Sequence, residues 1–351
     1  MINLFPATIE KMFLHKVGNQ SRNEGVLLSE NEYQINDELR PLLKEFFLKP
    51  FRDKEESYLK FTHEADLEFN EMFAITSTLF EKPEDICQLS KSIANHLYVQ
   101  SAHPHIKSGE VYICQLENVI LDNQKVSAIG IFKSEVKQDF LQFKNEDGHL
   151  EAILTQGVNL SKLDKGCLIF NCEEEEGYKI LSVDNNRYDT KYWLDDFLGV
   201  VEFEDSHFHT KKYLKFCQDF AKDVVLPSED KKQEVMFMNR AVNHFAKNDS
   251  FEESSFLNEV LDNPELVPEF KHYKTEKGPK YSIEDLTTFP IANEAVSAAR
   301  KKIKNIISLD TNITIKFDFI NPESAERYLE KGWDEEKQMY YYLAYFNKEV
   351  K

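Results

Sequence analysis

Apolar residues follow two periods along this chain, and the switch between them predicts the architecture. Thr8 to Val17 reads as a strand, the polar run "GNQSRNEG" turns the chain, and Val26–Ser29 gives a second short strand. Over residues 37–48 the spacing becomes three and four, placing Leu39, Leu42, Leu43, Phe46 and Phe47 on one side of a helix that Pro50 ends. Phe69, Met72, Phe73, Thr76, Leu79 and Phe80 predict a second helix. Pro83 suits the first turn of a third, faced by Ile86, Leu89, Ile93 and Leu97. From Glu110 the period is two: Tyr112, Cys114 and Leu116 alternate with their neighbours, as do Val126, Ala128, Gly130 and Phe132. Turn signals at "LDNQ", "NEDG" and "EEEEG" divide the stretch up to Asp184 into about six strands. Turns this short join antiparallel strands, because parallel ones need long crossovers.

After the polar break "DNNRYDT" the pattern is mostly helical from about Lys211 to Lys271, punctuated by Pro227, Pro264 and Pro268. A polar loop, "KHYKTEKGPKYS", then precedes a basic helix from Asn293 to Ile307. "SLDTNITIKFDF" follows, leading into a hairpin in "ERYLEKGWDEEKQMYYYLAYF". The predicted fold class is α+β: N-terminal helices with an antiparallel sheet, then a helical segment and a small C-terminal helix-plus-strands unit. The expected domains are 1–188 and 189–351.

A chain of 351 residues that is 41% hydrophobic can bury a core without disulfides or metals. No apolar run approaches the roughly 20 residues of a membrane span, and the N-terminus lacks a basic segment leading into an apolar one. Cys87, Cys114, Cys167, Cys172 and Cys217 are odd in number and scattered, the pattern of reduced thiols, so the expected location is the cytoplasm.

Charge changes the picture most. The formal net charge is -19, which repels a polyanion at long range. Direct contact with DNA must therefore come from a local patch, within a Debye length of about 8–10 Å. One stretch runs against the trend: Lys271, Lys274, Lys277, Lys280, Arg300, Lys301, Lys302 and Lys304 face four acids, Glu276, Glu284, Asp285 and Glu294, leaving +4 over residues 271–304. Cations so placed can contact phosphates and release counterions. Cations in a last helical turn equally complement the helix dipole, with Val296, Ala299, Ile303 and Ile306 facing the core. The sequence alone favours that second account.

A second constellation is nuclease-like. Asp122 ends one predicted strand, and Glu135-Val136-Lys137 ends the next. Two carboxylates so arranged can hold a divalent cation while a lysine positions the attacking water. So short a pattern also arises by chance in a Glu/Lys-rich chain, where charged residues decorate hairpin ends. Metal sites are weaker. Cys167 and Cys172, five apart on a strand, point to opposite faces; the pairs His207/His209 and His103/His105 each lack a third ligand. Nucleotide-binding glycine loops and the G-x-S-x-G elbow are absent from the sequence.

The terminal block "KNIISLDTNITIKFDF…ERYLEKGWDEEKQMYYYLAYF" resembles the C-terminal end of bacterial 37-kDa nucleoid-associated proteins, the NdpA/YejK family. The likeness extends back through "LDKGCLIFN", "AIGIFKSE" and "HPHIKSGEVY" to "EGVLLSE" and "IEKMFLHKVGN", nearly the whole chain. It implies association with the nucleoid, no known enzymatic activity, no cofactor, and no motif of catalytic residues to place here. The implied partner is DNA, contacted directly or through a topoisomerase or other DNA-processing enzyme; homo-oligomerisation is left open. An acidic protein–protein adaptor and a metal-dependent nuclease stand as the alternative functions.

Overall fold

The computed structural model describes residues 2–52, 57–146, 149–186, 191–228, 230–303, 306–317 and 327–348. The chain divides into two compact units, Met1–Phe203 and Glu204–Lys351. The fold class is α+β, as the periodicity predicts.

The first unit is built on an antiparallel sheet. Its strands are β1 (Ile2–Asn3), β2 (Thr8–Val17), β3 (Val26–Leu27), β4 (Leu59–Phe61), β5 (Gly109–Leu121) and β6 (Gln124–Ser134). A separate ribbon, β7 (Lys137–Glu146) and β8 (His149–Val158), interrupts the order before β9 (Lys165–Phe170), β10 (Lys179–Asp184) and β11 (Val200–Glu202). The nine-stranded sheet runs β11-β4-β10-β9-β6-β5-β2-β3, with β1 beside β5. The helices are α1 (Leu39–Arg52), α2 (Glu71–Glu81) and α3 (Ile86–Gln100), with a π-helical segment at Tyr192–Leu198.

Alternation along the strands feeds two cores rather than one core and a wet face. Val111, Ile113, Ile129, Ile131, Cys167 and Ile169 pack against α2, α3 and Trp193. Their neighbours Cys114, Leu116, Ala128, Phe132, Leu168 and Phe170 pack against Leu43, Phe46, Phe47 and Phe51 of α1. The sheet is thus buried on both sides, and β9 is buried at every position. Phe132 stacks on Phe47 with ring centroids 4.3 Å apart. It also lies over Gly166, its partner on β9, where a Cβ would come within 2.9 Å of the ring. Glycine is required there by close approach rather than by backbone conformation.

Two expectations for α1 need correction. Pro50 sits inside the helix, which continues to Arg52 although the proline offers no N–H for the Phe46 carbonyl. Phe51, 1% exposed, is anchored in the α1-side core, so tertiary packing outweighs the local penalty. Leu42 lies outside the apolar face and is half exposed.

The ribbon of β7 and β8 differs from the sheet. Its register puts Leu141 opposite Leu154, and Phe143 opposite Ala152, and Leu141, Phe143 and Leu154 are exposed.

The second unit begins at β11's end because β11 pairs with β4 and Trp193, Phe197 and Leu198 fill the first unit's core. The division therefore falls after Phe203. Asp205 caps α4 (Ser206–Phe220) by accepting from the Phe208 amide, and a π turn at 221–225 leads to the short α5 (Leu226–Ser228). Asp230 likewise caps α6 (Lys231–Lys247). Then come β12 (Ser250–Glu252), α7 (Glu253–Val260), α8 (Leu266–Lys277), β13 (Thr288–Pro290) and α9 (Asn293–Lys302). Two small hairpins follow, β14 (Ile306–Ser308) with β15 (Thr314–Lys316) and β16 (Leu329–Asp334) with β17 (Met339–Ala344). The core is strongly aromatic: Tyr213, Phe216, Phe220, Phe245, Phe251, Phe256, Phe270 and Phe289 all belong to it.

Two boundaries here also differ from the sequence reading. Residues 271–277 form the end of α8 rather than a loop, because Phe270 and Tyr273 are three apart and bury together. The basic helix ends at Lys302, not Ile307: Ile303 is already extended, and Ile306 and Ile307 pair with Lys316 and Ile315.

Candidate functional site

The eight cations of 271–304 do not share one environment. Lys274 is 5% exposed, bonded to Glu253 Oε1 at 2.7 Å and to the Leu286 carbonyl at 2.8 Å. It serves the interior and leaves the patch. Lys277 pairs with its neighbour Glu276 at 2.7 Å; that hydrogen bond and charge hold its pKa above the ordinary value. Lys280 contacts Tyr281, whose hydroxyl donates to Asp219 at 2.5 Å. Lys271 is exposed on α8. Arg300, Lys301 and Lys302 form the last turn of α9, half-buried for the arginine and exposed for the two lysines. Lys304 lies outside the described residues. Carboxylates therefore meet the α8 end, and the densest run of cations in the stretch is the last turn of α9.

The nuclease-like triplet is not brought together. Asp122 and Asn123 form the two-residue turn between β5 and β6, both with positive φ (50° and 63°), the geometry of a tight hairpin. Glu135 follows the other end of the 11-residue β6, roughly 35 Å away at strand rise. Lys137 pairs with Glu110 at 2.7 Å, and Asp122 with Lys179 at 3.5 Å. His207 and His209 lie on α4, so two residues of separation points them apart rather than to a shared face. Among the described residues, no group of three His, Cys, Asp or Glu side chains is placed to hold a metal ion.

Glu135 belongs instead to a cluster that the pattern of charges along the chain does not reveal. In the sheet register Lys133 on β6 lies opposite Lys165 on β9, which lies opposite Asp184 on β10. Two like charges directly across from each other are unfavourable unless compensated. Compensation is complete here. Lys133, 0% exposed, bonds to Glu135 Oε1 at 2.9 Å, to the Lys107 carbonyl at 2.8 Å and to the Tyr192 hydroxyl at 3.3 Å. Lys165 bonds to Asp184 Oδ2 at 2.6 Å. Both ammonium groups lie over the Tyr192 ring, 5.7 and 5.2 Å from its centroid. Burial pushes the Lys133 pKa down from its ordinary value, and the charge of Glu135 opposes it.

Three further groups hold this arrangement. Asp164 Oδ2 accepts from the Glu135 and Val136 amides at 2.7 and 3.0 Å, fixing the chain where β6 ends. Asn186 donates to Glu135 Oε2 at 3.0 Å, and the Tyr192 hydroxyl to Oε1 at 3.1 Å. A cleft of about 230 Å³ opens beside them, lined by Lys107, Lys162, Lys165, Asn185, Asn186 and Tyr192 among others. A larger cleft of the same unit, about 650 Å³, is lined by Glu64, Glu71, Asp195 and Asp196 and so has the opposite polarity.

The segments "HPHIKSGEVY", "AIGIFKSE" and "LDKGCLIFN" supply Lys107, Lys133, Glu135, Asp164 and Lys165. They are far apart in sequence and adjacent in space. No helix among the described residues is long and apolar enough to cross a membrane. A comparison with curated proteins finds no match. A family model described as nucleoid-associated protein YejK matches residues 13–340, reaching across both units, and the chain accordingly belongs to that family.

Proposed function

We propose that this chain is a non-enzymatic nucleoid-associated protein that reaches DNA weakly through the cationic end of α9. Family membership supports the nucleoid role. The observation that carries the contact itself is Arg300, Lys301 and Lys302 in one helical turn, with Lys304 just beyond in sequence, inside a chain of net charge -19. Four cations neutralise at most about four phosphates, which gives a log–log salt slope of roughly -3 to -4 and no base readout. The rest of the molecule repels DNA, so the contact is short-ranged and gains nothing from steering. Reversing Arg300, Lys301, Lys302 and Lys304 to Glu should abolish retention of duplex DNA in a gel shift at low salt. Retention unchanged by the four substitutions would exclude α9 as the contact.

A second reading, recruitment by a DNA-processing protein, is favoured by the terminal hairpin. Tyr328, Tyr340, Tyr341, Leu343, Tyr345 and Phe346 are all exposed, Tyr340 by 69% and Phe346 by 74%. Tyr341 lies across Gly332 on the paired strand, with its ring over the space that a Cβ would take. Aromatic side chains exposed in such density are typical of protein interfaces. Under this reading the chain is retained on nucleoid proteins after nuclease treatment, and free DNA is not bound at all.

A further inference from the structure

The first unit holds a buried ammonium group whose hydrogen-bonding capacity is not used up. Lys133 spends all three donors on Glu135, the Lys107 carbonyl and Tyr192. Lys165 is just as buried, at 2% exposure, yet among the described residues its hydrogen bond goes to Asp184 alone. Among the described residues its other two N–H donors have no hydrogen-bond acceptor, only the face of the Tyr192 ring, and Lys165 lines the 230 Å³ cleft. A buried donor without an acceptor is costly, and more so when charged. The cleft offers the place from which an acceptor would come.

Its lining selects the chemistry. Lys107 and Lys162 are exposed at the lining, Asn185 and Asn186 add amide groups, and the Glu135 carboxylate that also borders it is already held by Lys133, Asn186 and Tyr192. Lys107, Lys133, Lys162 and Lys165 against Glu135, Asp164 and Asp184 leave +1 locally, in a chain of -19. A cationic ligand would meet the Lys165 ammonium directly. Asp184 already balances the Lys165 charge, and a neutral ligand would leave the two exposed lysines at the mouth unused. An anion with several acceptor oxygens satisfies the free donors and is held by charge-assisted bonds. The volume corresponds to roughly seven or eight waters at about 30 Å³ each, room for a phosphate and an attached sugar.

We propose that this cleft binds a phosphomonoester, with Lys165 as the buried anchor and Lys107 and Lys162 closing on the phosphate from the mouth. The phosphate belongs either to a free mononucleotide or to the end of a nucleic-acid strand. The site lies in the first unit and does not depend on the α9 contact.

Titration of the full chain with inorganic phosphate, a mononucleotide, and matched short oligonucleotides bearing a 5′-phosphate or a 5′-hydroxyl tests this by calorimetry. Saturable binding of phosphate is expected, weakened at least tenfold in Lys107→Glu and in Lys162→Glu. Both side chains are exposed, so the fold should survive, which circular dichroism checks. Preference for the 5′-phosphorylated over the 5′-hydroxyl strand assigns a strand end; binding of the mononucleotide with both strands excluded assigns a free nucleotide. Lys165→Met should also lose binding, but the surface variants decide the matter if it fails to fold. Absence of saturable phosphate binding at millimolar concentration, or equal affinity in the two Glu variants, overturns the proposal.

Discussion

Lysines at the strand ends of the first unit and lysines on the helices of the second are held by different physics. Lys133 and Lys165 come from strands separated by the β7–β8 ribbon, sit opposite each other, and are almost fully buried. Their charge is balanced by Glu135 and Asp184 within hydrogen-bonding distance. Lys271, Lys277, Lys301 and Lys302 lie on helices and are exposed, and the Lys277 charge meets only its neighbour Glu276 at the surface. Exposed pairs contribute little to stability, whereas breaking a buried one strands a charge. Density of charge along the sequence therefore marks a surface that can meet a polyanion. It says little about where charge is structurally committed.

The contrast breaks most visibly at Lys133. Lys133→Met should cost about 3–5 kcal/mol in urea unfolding, because Glu135 is left buried without its cation. Adding Glu135→Gln should recover much of that loss, since Gln keeps the acceptor for Tyr192 and carries no charge. A single variant as stable as the parent would mean that the cluster is not coupled. A smaller loss should come from acid. His15, 2% exposed and bonded to Ser90, has its pKa lowered to about 4, first by burial and then by the charge of Lys91. The unfolded chain takes up this proton from about pH 6.5 downward while the folded one does not until about 4. Its contribution is thus complete above 6.5 and lost progressively as pH falls towards 4. Unfolding midpoints of the parent and His15→Gln should converge in that window.

Within the second unit the same contrast can be sharpened. Lys274→Met removes the cation beside Glu253 and should cost about 2 kcal/mol, a buried hydrogen-bonded charge being lost. Lys271→Ala and Lys301→Ala should each change stability by under about 0.5 kcal/mol. Equal effects at Lys274 and Lys271 would show that the α8 lysines form one surface after all.

Much of the fold is legible before any coordinates. The strand at Thr8–Val17, the third helix and the period-two stretch from Glu110 all appear where the pattern puts them. The pattern hides which core each alternate residue feeds, because a helix layer on each side of the sheet makes both parities apolar. Proline at position 50 misleads because its local penalty is overridden by Phe51 in the core. The candidate site is least legible. Lys133 closes the run "AIGIFK" and Lys165 opens "KGCLIF", so a lysine at the edge of an apolar strand was the available signal. Their meeting depends on strand register, which no local spacing encodes. Asp122 and Glu135 show the converse: nearby in sequence, they sit at opposite ends of β6.

The central functional claim, contact between the end of α9 and DNA phosphates, is tested most directly by the salt dependence of binding. Affinity for a mixed-sequence duplex should fall with a log–log slope of roughly -3 to -4, and the Arg300→Glu/Lys301→Glu/Lys302→Glu/Lys304→Glu chain should show no measurable binding. Binding that ignores salt, or keeps its slope in the charge-reversed chain, would contradict the account and leave recruitment through the terminal hairpin in its place.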